Sequence, residues 1–294
     1  MQDLGRPGYA HLGISASGAA DALSLRAGNL LAGNAEGAPA LEMTLAGGTF
    51  EFEAEAVVAL TGADFETSVS MWRAVDVRPG EQVRCGHARS GARCYLCVRG
   101  GIDVPLVLGS ASTHLLTGLG GWEGRALRKG DVLPIGTTVE NPQPPAKGLS
   151  GRAGEGASGR TGRLRHDALR VTRGPQAEWF DFEAFCRAEY QVSEDSDRMG
   201  LRLRGPALTP HAGHMLTEGV TLGAVQVPPD GQPIILFVEH QTTGGYPKIA
   251  NVISADFHAL GQLRPRDILR FEEASMDAAR ALLREQEEWL HALV

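Results

Sequence analysis

Val98-Arg-Gly-Gly-Ile-Asp-Val-Pro105 and Gln241-Thr-Thr-Gly-Gly-Tyr-Pro-Lys248 are two versions of one phrase, and their relation decides the fold. Gly100 and Gly101 recur as Gly244 and Gly245. Ser110, Ala111 and His114 recur as Ser254, Ala255 and His258. Every pair is separated by 144 positions. Upstream, Asp21 and Glu42 recur as Asp197 and Glu218, both at a spacing of 176. Downstream, Leu127-Arg-Lys-Gly-Asp-Val-Leu133 recurs as Leu263-Arg-Pro-Arg-Asp-Ile-Leu269 at a spacing of 136. Three ordered blocks with a falling offset describe one fold present twice, with longer loops in the first copy.

Both copies read as β structure. Ala56–Leu60, Arg93–Val98, Ile234–Glu239 and Ile268–Phe271 are apolar, β-branched runs bounded by turn residues. The chain holds 38 glycines and 16 prolines, spread along its length, which suits short strands and tight turns. Three segments are expected to be helical. Ala20–Leu31 has helical apolar spacing and stops at Gly33-Asn34. Pro175–Ala188 starts with a proline and gathers Trp179, Phe182 and Phe185. Met276–Leu293 follows Ser275 as a cap, with Asp277 in the first turn. Each copy is then a β-barrel or sandwich decorated by one or two helices.

Asn141–Arg165 interrupts this pattern with prolines followed by glycines and arginines, and without apolar periodicity. Such a stretch buries too little surface to offset its ordering entropy, so it reads as a flexible linker. The expected organisation is a first domain over 1–140, the linker over 141–165 and a second domain over 166–294. The net charge of −7 shows no basic field for nucleic acid, and no apolar run is long enough to span a membrane. The four cysteines are too few and irregular for a disulfide scaffold. A reduced, cytoplasmic chain is expected.

Candidate chemistry concentrates in the second copy. Thr242 and Thr243 offer hydroxyls, and Gly244 and Gly245 permit positive φ and an anion-binding nest of backbone N–H groups. Pro247 biases Tyr246 towards extended backbone, and Lys248 adds a cation. The matching turn of the first copy keeps the glycines but has neither the threonine pair nor the lysine. The polar groups of the second copy therefore need a reason beyond the turn. Asp197, with Arg198 beside it, and Glu218 occupy repeated acidic landmarks. Because both copies keep the acids, a structural role suits them better, and Arg198 is the residue to test. His211, His214 and Glu218 form a weak two-histidine, one-carboxylate set in a proline- and glycine-broken segment, so no metal is expected. Cys94 and Cys97 lie three apart in a strand and so face opposite ways. The chain contains no phosphate-binding loop, no nucleophile elbow and no biotinylation sequence.

Longer phrases carry a resemblance. Gln2-Asp-Leu-Gly-Arg-Pro-Gly-Tyr, Ser17-Gly-Ala-Ala-Asp21, Leu41-Glu-Met-Thr, Gly100-Gly-Ile-Asp-Val-Pro, Ser196-Asp-Arg-Met-Gly, Gln226-Val-Pro-Pro-Asp-Gly-Gln-Pro-Ile and Gln241-Thr-Thr-Gly-Gly-Tyr-Pro-Lys resemble the biotin-dependent carboxyltransferase, or allophanate hydrolase subunit 2, family. The resemblance covers nearly the whole chain outside the linker. It implies two tandem cyclophilin-like β-barrels. It also implies partners: a KipI-like companion of the B type and a large partner of the A type, with a homo-oligomer left open. The leading activity it implies is that of the C-type component in an ATP-dependent 5-oxoprolinase, which opens 5-oxoproline to glutamate. ATP enters by this resemblance alone, with no site located, and no biotin is attached to this chain. The alternatives are a carboxyltransferase component of a urea-type carboxylase and a KipA-like regulator of a kinase inhibitor. Carried over by motif, Gln226, Glu218, Gln241, Thr242, Thr243, Gly244, Gly245 and Tyr246 line the substrate cleft. Lys248, Arg198 and Asp197 are then the catalytic candidates, with Lys248 or Arg198 stabilising charge on a carbonyl oxygen. Family members usually carry an extended segment before the Gln-Asp-Leu-Gly-Arg phrase, so a late gene start is expected here.

Overall fold

A computed structural model describes residues 1–137, 168–211 and 215–293. The expected linker Asn141–Arg165 and His214 lie outside the described residues. The chain divides into two compact units. The first comprises Met1–Arg6, Ser17–Leu164 and Glu288–Val294, and the second Pro7–Ala16 and Arg165–Glu287.

In the first unit, strands β1 (Leu41–Thr44), β2 (Thr49–Glu51), β3 (Ala56–Thr67), β4 (Ala74–Val77) and β5 (Gln82–Val98) form one antiparallel sheet. Its order is β1-β5-β3-β4, with β2 also on β5, and this path does not close among the described residues. β3 and β5 pair from Val58↔Val98 to Thr67↔Cys85. Residues from Ala92 to Val98 are buried without alternation, because both faces of β5 are covered there. One face joins Val58, Leu60, Cys94 and Leu96. The other joins Ala59, Tyr95 and Cys97 to Leu25, Ala27 and Leu31 of helix α1 (Ala22–Ala32). Cys94 and Cys97 do face opposite ways, and burial pushes both thiols up, away from thiolate chemistry.

The sequence sets the ends of α1. Asp21 accepts from the Ser24 backbone N–H at 2.9 Å, a cap of about 1 kcal/mol. Gly33 closes the helix in the left-handed conformation, with φ of 83°. Asn34 ties this end to β5, donating to Val98 O at 2.8 Å and accepting from Gly100 N at 2.8 Å.

In the second unit, β6 (Ala168–Arg173), β7 (Tyr190–Val192), β8 (Gly200–Arg204), β10 (Ala224–Gln226), β11 (Ile234–Leu236), β13 (Lys248–Val252) and β14 (Ile268–Glu273) make a closed barrel. Its order is β10-β11-β8-β7-β14-β6-β13, and β13 pairs back onto β10. A separate ribbon joins β9 (Glu218–Gly219) to β12 (Thr243–Gly244). The expected helix over Pro175–Ala188 is shorter: a 3-10 turn at Ala177–Trp179, then α2 over Phe182–Arg187. Buried Phe180 is extended between them, and Asp181 starts α2 afresh by accepting from Ala184 N at 2.9 Å. Burying Phe180 overrides helix continuity there. Phe185 stacks on Phe271 at 4.4 Å between centroids. Two further helices are α3 (Phe257–Gln262) and α4 (Met276–His291); α4 is capped by Ser275 Oγ, which accepts from Ala278 N. No helix among the described residues is long and apolar enough to cross a membrane.

Candidate functional site

β10 and β13 place the site. Gln226 ends β10, Lys248 begins β13, and the two are Cα partners across the antiparallel pair, beside a register shift at Val225/Gln226. Directly opposed residues project to the same face. Both side chains are buried, Gln226 at 1% exposure and Lys248 at 5%. A lysine that deep requires a counter-charge. Glu218, on the β9–β12 ribbon, supplies it through a short contact between its Oε1 and Lys248 Nζ. The carboxylate is half-exposed while the ammonium is buried, so the pair has one wet end. Hydrogen bonding from Lys248 holds the Glu218 carboxyl below its ordinary value of 4.5, against a smaller opposing effect of desolvation.

Gln176 holds this pair from behind. Its backbone N–H donates to Lys248 O at 3.1 Å, and its Oε1 accepts from Lys248 N at 3.0 Å. Its Nε2 reaches Glu218 Oε1 at 3.4 Å. Gly174 makes the approach possible: a Cβ there would lie 2.3 Å from Lys248 O. Gln176 has no motif to mark it in the sequence; only its place after Gly174-Pro175 hints at a tight turn.

The Gln241–Lys248 segment covers the site without forming the expected nest. Neither Gly244 nor Gly245 has positive φ. Gly244 is instead extended, paired with Glu218, and Thr243 is paired with Gly219. A nest needs successive residues of opposite handedness, so the backbone here is no anion cradle. Gly244 is small for another reason: a Cβ on it would lie 2.5 Å from Gln226 Nε2. Gln241 Nε2 donates to Gln226 Oε1 at 3.2 Å. Thr242 O accepts from Val220 N at 3.1 Å, and Tyr246 is 43% exposed.

Asp197 and Arg198 stand just before β8. The row through Gln226 runs to Ile234 and Arg202, whereas Asp197 and Arg198 precede Gly200, which pairs with Leu236. Asp197 Oδ1 accepts from Met199 N at 2.8 Å and Gly200 N at 3.1 Å, which shapes the turn into β8. Arg198 Nε meets Glu239 Oε1 at 2.6 Å, with side chains 16% and 5% exposed. Glu239 escapes motif reading, although the 144 spacing sets it opposite buried Tyr95. The geometry brings Lys248, Glu218, Gln226, Gln241 and Gly244 together and ties Arg198 to Glu239, two residues before Gln241. Among the described residues no cluster of three His, Cys, Asp or Glu could hold a metal.

The arrangement can present a positive donor and a neutral amide donor to one ligand oxygen, with a carboxylate able to swing into water. Comparisons with known proteins give the chain a family. The profile of the carboxyltransferase domain, subdomain A and B, matches residues 12–273. The C-type component of the Escherichia coli 5-oxoprolinase is 40% identical, with 100% of this chain aligned to 94% of that one. Its namesake in Haemophilus influenzae is also 40% identical, covering 99% and 93%. The crystal structure of the K. lactis urea amidolyase superposes on 100% of this chain with a TM-score of 0.88 at 30% identity, although the match takes in only 19% of that much longer protein. The chain belongs to the family defined by carboxyltransferase subdomains A and B.

Proposed function

We propose that the chain is the C-type component of an ATP-dependent 5-oxoprolinase and contributes the lactam-binding site around Lys248. The observation that carries this reading is 40% identity to two 5-oxoprolinase components of that type over nearly their whole length. As one component it acts with others, which we take to be a KipI-like B-type companion and a larger A-type partner, in the cytoplasm.

Within the site, 5-oxoproline supplies a neutral ring carbonyl. Its oxygen takes a further N–H of the Lys248 ammonium, which has three, while Glu218 keeps its own. Lys248 then stabilises the negative charge that develops on that oxygen as the ring amide is attacked, a contribution of about 3–4 kcal/mol for a preorganised donor. Gln176 keeps Lys248 in line through its backbone. Arg198 and Asp197 serve by holding the β8 turn. A single lysine already matched by a carboxylate suits one ligand oxygen and does not suit a triphosphate. ATP use is therefore assigned to the assembled complex, and no step here runs through the nucleotide.

The test is reconstitution with the partner proteins and an assay of ATP-dependent glutamate formation from 5-oxoproline. Activity that requires this chain supports the reading. Tight assembly without turnover would favour a regulatory role. A second reading, carboxyl transfer to urea, draws on the structural likeness to urea amidolyase. Transfer from carboxybiotin to urea in the same reconstitution would select it.

A further inference from the structure

Gln226 carries a donor that the fold does not use. The residue is 1% exposed, and its Nε2 has no hydrogen-bond partner among the described residues. Its other end is fixed, because Oε1 accepts from Gln241 Nε2 at 3.2 Å. In this orientation the NH2 group is turned away from its anchor. Buried unpaired donors are costly, and folds keep few of them without a reason. The strand does not need a glutamine for packing: Ala224, Val225 and Val227 around it are apolar and buried. The free donor also lies on the face that Lys248 shares, by register. Gly244 lets the amide lie where it does, since a Cβ there would meet Nε2 at 2.5 Å.

We infer that Gln226 Nε2 and Lys248 Nζ form a two-donor seat for the carbonyl oxygen of a neutral amide, with Gln241 as the positioning residue that aims the Gln226 amide. The inference rests on the Lys248 site being the substrate site. Charge decides the ligand class. Lys248 and Glu218 already cancel, and the second donor is neutral, so the seat attracts a polar carbonyl without demanding a full anion. A planar carbonyl oxygen has two lone pairs, one for each donor. A ligand without that oxygen leaves Gln226 unpaired and loses the gain.

The experiment uses the reconstituted complex and three probes: 5-oxoproline, 2-pyrrolidone (lactam carbonyl only) and proline (carboxylate only). Binding is measured by calorimetry, and turnover by KM and kcat. Gln226→Met should weaken 5-oxoproline and 2-pyrrolidone at least tenfold, leave proline unchanged, and leave the melting temperature equal or higher. A purely structural glutamine would instead lose stability and leave the contrast between probes intact. Gln241→Leu, at an exposed position, repeats the test without touching the core and should raise KM about threefold or more. The inference is overturned if Gln226→Met or Gln241→Leu leaves 5-oxoproline affinity and KM within twofold. It is also overturned if the loss is the same for proline as for the lactams. Failure of the 5-oxoprolinase reading looks different. The wild-type complex would not open 5-oxoproline, yet binding of another neutral amide, such as urea, would still fall tenfold in Gln226→Met.

Discussion

The repeated blocks have kept their geometry at one landmark and exchanged it at another. In the turn Arg128–Asp131, Asp131 Oδ2 accepts from Arg128 N at 2.7 Å and Asp131 N donates to Arg128 O at 3.1 Å. In Arg264–Asp267 the same two bonds measure 2.7 and 3.1 Å. Even the positive φ is shared, by Gly130 at 93° and by Arg266 at 75°. The Gly-Gly landmark behaves otherwise. Gly100 and Gly101 are both left-handed, at 93° and 70°, whereas Gly244 and Gly245 are not. The same letters make a turn in one unit and a flat ribbon strand in the other.

The buried acids show what that divergence frees. In the first unit Glu42 is held inside the fold, accepting from Ala20 N at 2.8 Å and from Tyr95 Oη at 2.7 Å. At the matching positions of the second unit, Tyr95 is replaced by Glu239 and Val104 by Lys248. Glu239 takes Arg198 as its partner, and Glu218, the counterpart of Glu42, turns to Lys248. One unit uses its acid for structure. The other moves that task to an ion pair and leaves an acid–lysine pair at a half-open site.

Arg198→Ala should give the largest effect on stability. It removes the ion-pair partner of the 5%-exposed Glu239 side chain and should cost about 3–5 kcal/mol, read from denaturant unfolding, while KM in the surviving protein stays near wild type. A normal stability with a large KM rise would return Arg198 to the substrate cleft. Gly100→Ala comes next. Its Cβ would lie 1.8 Å from Gly136 O at a φ of +93°, so a loss of about 3 kcal/mol is expected. Gly244→Ala presses on a side chain rather than on backbone. It should cost about 1 kcal/mol and show mainly as a raised KM, because Gln226 is displaced.

Acid tests the Glu218–Lys248 pair. A carboxyl whose pKa is lowered on folding stabilises the protein above its unfolded value and loses that contribution as pH falls through the folded value. For Glu218 the window therefore lies below 4.5. Glu218→Gln should flatten the acid limb of stability there and lower stability at neutral pH, where the wild-type ion pair is fully formed. The smallest effect belongs to Gly245→Ala, where a Cβ meets nothing nearer than 3.4 Å and φ is not left-handed. Stability should stay within about 0.5 kcal/mol. A loss as large as that of Gly100→Ala would mean that the two turns are equivalent after all.

Local rules written in adjacent residues were legible in the sequence. Gly33 ends α1, Ser275 caps α4, and the split facing of Cys94 and Cys97 follows from strand period, whereas Asp21, read as lying inside the helix, is its N-cap. The duplication was legible because three blocks recur in order. The break at Phe180 was not, since it shows only once that ring is buried on an extended backbone. Lys248 stood out because its counterpart is apolar. Gln176 did not, because its backbone bond to Lys248 O is one any residue type can make, and its amide finds Lys248 N and Glu218 only after folding. The nest at Gly244-Gly245 was misread because glycine permits positive φ without requiring it, and here glycine answers to the closeness of Gln226.

The contrast between the units reduces to one lysine. Glutamate formation from 5-oxoproline by the reconstituted complex, compared between wild type and Lys248→Ala with assembly verified by gel filtration, tests it directly. A fall of about a hundredfold or more in kcat/KM with assembly intact is the expected result. Activity within threefold of wild type would contradict a catalytic second unit and leave Lys248 as a buried structural ion pair.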